Sequence, residues 1–278
     1  MQSLKQAIAH QDSFSASLLL AQYFHQDCPS VAHYASVIDN WCVQARLSSD
    51  YAVADQNSLA NLVRFFYRDL AFSHDQSDFF AIQNSLLDKV IEFRTGLPLS
   101  LGLVFQAIAT RLGFQVQGIN FPGRFLLRVD FADSQGTQDT QSVYLDPSNG
   151  KILSHKNIES LYCQMLGDLE QHKMPPEALL SASCQESVVR LLHNIKAAFI
   201  AAQDYQPALL AVELLIELCP DDPYERRDRG FLLHQLDCLQ LAVADYQYFI
   251  RQCPKDPASP LLAAQVKQLA AEARAVFH

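Results

Sequence analysis

The sequence predicts an α+β fold: a helical N-terminal segment, one strongly apolar helix and a small antiparallel sheet, followed by all-helical hairpins. Apolar residues recur at helical spacing from Phe14 to Leu112, and the period drops to two between Phe114 and Leu153. Beyond Ala201 a motif returns after 34 residues. Helices first and clustered strands afterwards are the order of an α+β domain, not of an alternating parallel sheet.

Each element has its own signal. Phe14, Leu18, Leu19 and Tyr23 share one helical face, and Pro29 follows as a stop. Val31–Leu47 carries Tyr34, Ile38, Trp41, Cys42 and Ala45 at the same spacing, and Leu59–Phe72 repeats it. A shorter helix is expected from about Asn84 to Phe93, ending before Gly96 and Pro98. Leu99–Leu112 is apolar on nearly every side, which marks a buried helix, and Gly113 closes it. Alternation at Phe114–Ile119 and Phe125–Phe131, then Ser142–Asp146 and Lys151–Leu153, predicts four strands with a turn at Asp146–Gly150. Helices resume near Asn157, and Met174-Pro-Pro176 reads as a linker, giving domains at 1–176 and 177–278.

Composition narrows the function classes. With 49% apolar residues, the 278-residue chain can build packed cores, and 18% charged residues leave a surface rich in neutral polar groups. A net charge of −9 argues against nucleic acid, which needs a basic face. No apolar run approaches the roughly 20 residues of a membrane helix, and MQSLKQAIAHQDSF has no leader-like apolar stretch. A cytoplasmic location is expected. Seven cysteines without a CxxC pair fit reduced thiols, and nine scattered histidines form no HxxxH or HExxH pair. No cofactor and no metal are expected on those grounds.

The repeat is the strongest signal. Cys219-Pro-Asp-Asp-Pro223 returns as Cys253-Pro-Lys-Asp-Pro257, and at that offset Ala208 matches Ala242, Leu209 Val243, Val212 Tyr246 and Ile216 Ile250. A period of 34, a small Ala where helices cross and a closing Pro define the tetratricopeptide repeat. Gly230 stands early in the second copy, whereas Lys196 occupies that place in the first. Two copies and a terminal helix, Leu261–Phe277, fall short of the three repeats usually needed for stability, so the array is expected to need support from the N-terminal domain.

Three segments carry chemistry-bearing residues together: Arg94-Thr-Gly-Leu-Pro-Leu-Ser100, Asn120-Phe-Pro-Gly-Arg124-Phe-Leu-Leu-Arg128 and Tyr144-Leu-Asp146-Pro-Ser-Asn-Gly150. Ser100 opens the buried helix, Arg124 enters a strand and Asp146 ends the neighbouring one. That is the layout of a nucleophile, base and orienting carboxylate. These motifs, with GLPLSLGLVFQAIATRLG, resemble the SirB-type transglutaminase-like family of bacteria, in which a papain-like domain is joined to tetratricopeptide repeats. The resemblance implies a Cys-His-Asp triad, and the matching positions here are Ser100, Arg124 and Asp146. Many relatives of that family show PGHF where this chain has PGRF.

Arginine stays protonated above pH 12 and cannot serve as a base, so Ser100 is expected to cap the helix rather than attack a carbonyl. Arg124 and Asp146 are expected to pair in a buried bidentate contact among Phe121, Phe125, Leu126 and Leu145. Cys42 reads as a buried thiol, His155 and His172 as surface or cap residues, and Arg64 and Arg68 as a solvated helix face. The three glycines of Gly113–Gly123 belong to a helix end and strand turns. The expectation is a non-catalytic or regulatory interaction protein, taking a protein or peptide partner through the repeats and the cleft. Its alternative is an acyl-transfer enzyme with an unconventional base.

Overall fold

A computed structural model describes residues 1–25, 27–76, 78, 80–131, 141–165 and 173–275. His172 and most of the polar loop at residues 134–141 lie outside the described residues. The chain forms two compact units, residues 1–191 and 192–278, which part within a helix downstream of the expected 176/177 boundary. Among the described residues no helix is long and apolar enough to cross a membrane.

The first unit opens with α1 (Gln2–Ala9), α2 (Ser13–Phe24), α3 (Val31–Ser48) and α4 (Gln56–Arg64). Helix α4 passes into a π-helical turn, Phe65–Asp69, where one uniform helix over Leu59–Phe72 was expected. The wider turn seats Phe66 flat against Phe72, their ring centroids 4.3 Å apart. Residues Ser73–His74 (β1) then pair in parallel with Thr95–Gly96 (β2), a two-residue ladder that no periodicity announces. Between them lie a 3₁₀ turn, Ile82–Asn84, and α5 (Leu87–Phe93).

Helix α6 (Pro98–Arg111) is the centre of this unit, with α2, α3 and α5 against it and the sheet on another side. Pro98 at its first turn supplies a preset φ where no N–H is needed, and Gly113 (φ +99°) lets the chain leave. The sheet is an antiparallel meander, β3 (Gln115–Ile119), β4 (Leu126–Phe131), β5 (Gln141–Asp146) and β6 (Lys151–Leu153). Leu127 faces Leu145 across the ladder, and Asp146 faces Lys151. Leu126 joins Ile119, Phe121, Leu153, Ile158 of α7 (His155–Met165) and Met174 in a core of their own. Backbone from Ala182 closes on Gly118 O at 2.7 Å.

The second unit takes up at Leu192, within α8 (Cys184–Ala201), and continues through α9 (Tyr205–Leu218), α10 (Pro223–Gln235), α11 (Leu239–Gln252) and α12 (Ala258–Ala275). Helices α9 and α11 begin and end 34 residues apart, and Gln203 and Asp237 repeat one positive-φ turn at that offset. Asp222 and Asp256 repeat one cap, accepting from Tyr224 N (2.9 Å) and Ala258 N (2.8 Å). Ala208 and Ala242 are both fully buried. A Cβ on Gly230 would come 2.8 Å from Tyr246, so glycine is needed where helices α10 and α11 touch. In the first copy the smaller Val212 replaces Tyr246, and Lys196 fills the glycine's place with its ammonium held by Glu225 (2.9 Å) and Asp228 (2.7 Å).

Candidate functional site

The three matching positions sit on three differently built supports. Leu97, not Ser100, is the capping residue of α6, and Ser100 lies inside the first turn. The expected cap is therefore corrected: Pro98 draws the helix start forward by three residues. Ser100 is fully buried, and its hydroxyl donates to Asn84 O at 2.7 Å and Leu97 O at 3.0 Å. This is a serine bonding back to the carbonyl three residues earlier while tying the 3₁₀ turn to α6. Gly96 makes room for it, since a Cβ there would stand 2.8 Å from the oxygen.

Arg124 leaves a tight turn in which its N–H reaches Phe121 O at 3.0 Å and Gly123 adopts φ +66°. The next residue fixes the turn's place. The Phe125 ring lies between Gly102 of α6 and Gly118 of β3, where added Cβ atoms would come within 2.7 and 2.6 Å. Asp146 ends β5, and its Oδ1 accepts from Ser148 N (2.9 Å) and Ser148 Oγ (2.6 Å), the side-chain bond of an Asx turn. Gly150 (φ +72°) completes that turn by donating to Asp146 O at 2.8 Å.

Arg124 and Asp146 do meet. The contact is a single one, Nη1 to Oδ2 at 3.3 Å, with 46% of the arginine side chain exposed and 8% of the aspartate. The expected buried bidentate pair is thus corrected to a one-armed contact between a buried aspartate and a half-exposed arginine, with Ser148 on the second carboxylate oxygen. The hydroxyl of Ser100 bonds to two backbone carbonyls and to neither side chain.

Two residues beside Asp146 escaped the sequence reading. Tyr67 donates its hydroxyl to Pro147 O at 2.8 Å, and burial together with the Asp146 charge pushes its pKa well above the usual phenol range. His74 pairs with Gly96 across the β1–β2 ladder, and its Nδ1 is buried without a hydrogen-bond partner. Burial pushes the His74 pKa down, against the opposing pull of Asp146 and Asp75. Neither residue stands in a recognisable motif. Only the two-residue ladder and the π-helical turn bring them here, and short irregular elements leave no period to read.

The remaining candidates stay apart from this chemistry. Cys42 is buried between α3 and α6, and burial raises its pKa, which keeps the thiol protonated. Arg64, Arg68 and His155 are exposed, and His155 stands 3.6 Å from Glu159. One group of metal-type donors, His25, Cys28 and Asp88, comes together where α2 meets α5.

Comparison with known proteins agrees with this architecture. A family model described as the transglutaminase-like superfamily matches residues 32–193, and a tetratricopeptide repeat model matches residues 195–267. A UPF0162 protein of Vibrio cholerae is 37% identical over 216 residues, 78% of this chain and 77% of its own length. Protein SirB1 of Salmonella typhimurium is 30% identical over 219 residues, 78% of each chain. UPF0162 protein YchA of Escherichia coli K12 is 31% identical over 217 residues, 77% of each. No solved structure matches. The apolar helix, the meander and the 34-residue hairpins, with these matches, place the chain in the transglutaminase-like superfamily, in the group that carries tetratricopeptide repeats and includes the SirB1 and UPF0162 proteins.

Proposed function

We propose that this chain is a regulatory interaction protein, in which a transglutaminase-like domain has exchanged catalysis for recognition and the repeats take a protein or peptide partner. The observation that carries the reading is the state of Ser100. A nucleophilic hydroxyl has to be exposed to substrate and to hand its proton to a base. This one is fully buried, and its proton is directed at the carbonyls of Asn84 and Leu97. Arg124, at the position that matches the family's base, is a permanent cation engaged with Asp146. Removing a positioned base forfeits about 10²–10⁴-fold in rate even when everything else is in place.

Turnover assays with generic ester, amide and glutaminyl substrates test the reading. Wild type and Ser100→Ala are expected to be equally inactive. Turnover above background that Ser100→Ala abolishes would overturn it.

A second reading, acyl transfer with an unconventional base, is favoured by His74 alone. Its buried Nδ1 lacks a partner, and the Asp146 charge acts on its ring. That reading requires activity lost in both Ser100→Ala and His74→Ala, with a pH profile set by one imidazole.

A further inference from the structure

We infer that His25, Cys28 and Asp88 form a divalent-cation site of the zinc type, built on residues that the transglutaminase-like positions do not use. One donor atom from each lies within 4.8 Å of the other two. Among the described residues no other three His, Cys, Asp or Glu side chains converge in this way. His25 follows the last turn of α2 in extended backbone, and Cys28 N–H returns to His25 O at 3.2 Å. The sequence spacing is His-x-x-Cys, which suits two ligands from one loop. Asp88 comes from the first turn of α5, which packs against α2.

The carboxylate supplies the independent observation. Asp88 is 1% exposed, and its Oδ2 stands 2.9 Å from His25 Nδ1. Its other oxygen is buried and has no hydrogen-bond partner. An acceptor left in that state costs about 1–3 kcal/mol, more when ionised. Burial and the Asp88 carboxylate hold the Cys28 thiol protonated, and a cation at the cluster would take the place of that proton between the two side chains.

Donor chemistry selects the metal. Thiolate, imidazole and carboxylate suit zinc, whereas magnesium and calcium take oxygen ligands. Thiolate and carboxylate together carry two negative charges, which a divalent ion neutralises. The neighbouring Lys89 is engaged with Glu92 at 2.9 Å. Zinc bond lengths of about 2.0–2.3 Å place tetrahedral donors about 3.3–3.8 Å apart, so the His25–Asp88 contact opens slightly as the ion enters. The Zn–S bond forms as Cys28 gives its S–H proton to solvent, with no change of oxidation state. Three protein donors leave a fourth position for water or an outside ligand. His25 also borders a cavity of about 450 Å³, lined further by His33, Tyr34, Trp41 and Arg94.

The test uses the full chain, stripped with chelator and dialysed against Zn²⁺, with bound metal measured per chain. Wild type is expected to retain one equivalent, and Cys28→Ser and Asp88→Asn to bind at least about tenfold more weakly. Cobalt substitution identifies the donors: wild type should show a thiolate-to-cobalt charge-transfer band and tetrahedral ligand-field bands, both lost in Cys28→Ser. Because Asp88 is buried, its variant is judged beside Cys28→Ser, which changes a half-buried turn residue, and both are checked by melting without metal. No stoichiometric zinc in wild type would overturn the site. A cobalt spectrum and affinity unchanged in Cys28→Ser would also overturn it, assigning the metal to other cysteines.

Discussion

Two carboxylate–cation contacts, one in each unit, differ in how they are built. Glu225 receives Lys196 through both oxygens, at 3.0 and 2.9 Å, and His193 at 2.9 Å, with side-chain exposures of 4% for the glutamate and 11% for the lysine. Asp146 receives Arg124 through one oxygen at 3.3 Å, and nearly half of the arginine is in water. The first contact fills the place of a missing glycine and is part of how the hairpins pack. The second joins the two positions that the resemblance matches to the family's base and carboxylate, and only its aspartate is buried. Departure from a repeat consensus was absorbed by a buried network. The departure at Arg124 comes with a one-armed contact whose cation is half in water, as the proposed loss of catalysis would allow.

The largest effect is predicted for Lys196→Met. Leaving Glu225 buried without its main partner should lower stability by about 3–5 kcal/mol, read as a clear fall in the melting transition of the repeat unit. A change near zero would show the network to be incidental. Gly230→Ala comes next. The new methyl would come 2.8 Å from the buried Tyr246 ring and 3.3 Å from Ala242 O, so a loss of about 1–3 kcal/mol is expected by denaturant titration. Val212 in the first copy explains why Lys196 is tolerated where Ala at 230 is not.

The acid limb sharpens the same contrast. Burial alone would raise the Glu225 pKa, but hydrogen bonds and charge from His193 and Lys196 outweigh it and hold it below the ordinary carboxylate value. A lowered folded pKa means that this stabilisation is complete above the unfolded value, near 4.3. It is lost as pH falls through the folded one. Melting curves from pH 6 to pH 3 should therefore show a steep decline in wild type and a shallower one in Lys196→Met. Equal slopes would contradict the assignment.

Smallest is the pair at the candidate site. Asp146→Asn keeps an acceptor for Ser148 and loses only the contact with a half-exposed arginine, so about 1 kcal/mol is expected. Arg124→Ala should cost about 0–1. Losses of 3 kcal/mol or more in either, measured by chemical denaturation, would reverse the contrast between the two pairs.

Legibility in the sequence followed regularity. The 34-residue offset located the repeated hairpins that α9 and α11 belong to, and the apolar run located α6, because helical packing imposes a period that survives substitution. Arg124 and Asp146 were readable as neighbours because two adjacent strands and a turn of defined residues, Asp146 to Gly150, set their register. The first turn of α6 was misread: serine is a favoured cap, but Pro98 starts the helix earlier and turns Ser100 inward. His74, Tyr67 and Asp88 gave no signal at all. They are placed by a two-residue ladder, a π-helical turn and a seven-residue helix, each fixed by tertiary packing rather than by a local pattern. Asp88 stands 63 residues from His25 and 60 from Cys28, beyond the reach of any spacing motif.

The central claim is that Ser100 holds structure rather than performing chemistry, and intact-mass analysis after treatment with serine-directed covalent probes tests it most directly. The account predicts no adduct at Ser100 in the folded wild type, and a Ser100→Ala variant that is destabilised by about 1 kcal/mol through loss of the bond to Asn84 O. A stoichiometric adduct mapped to Ser100 and absent from Ser100→Ala would contradict it.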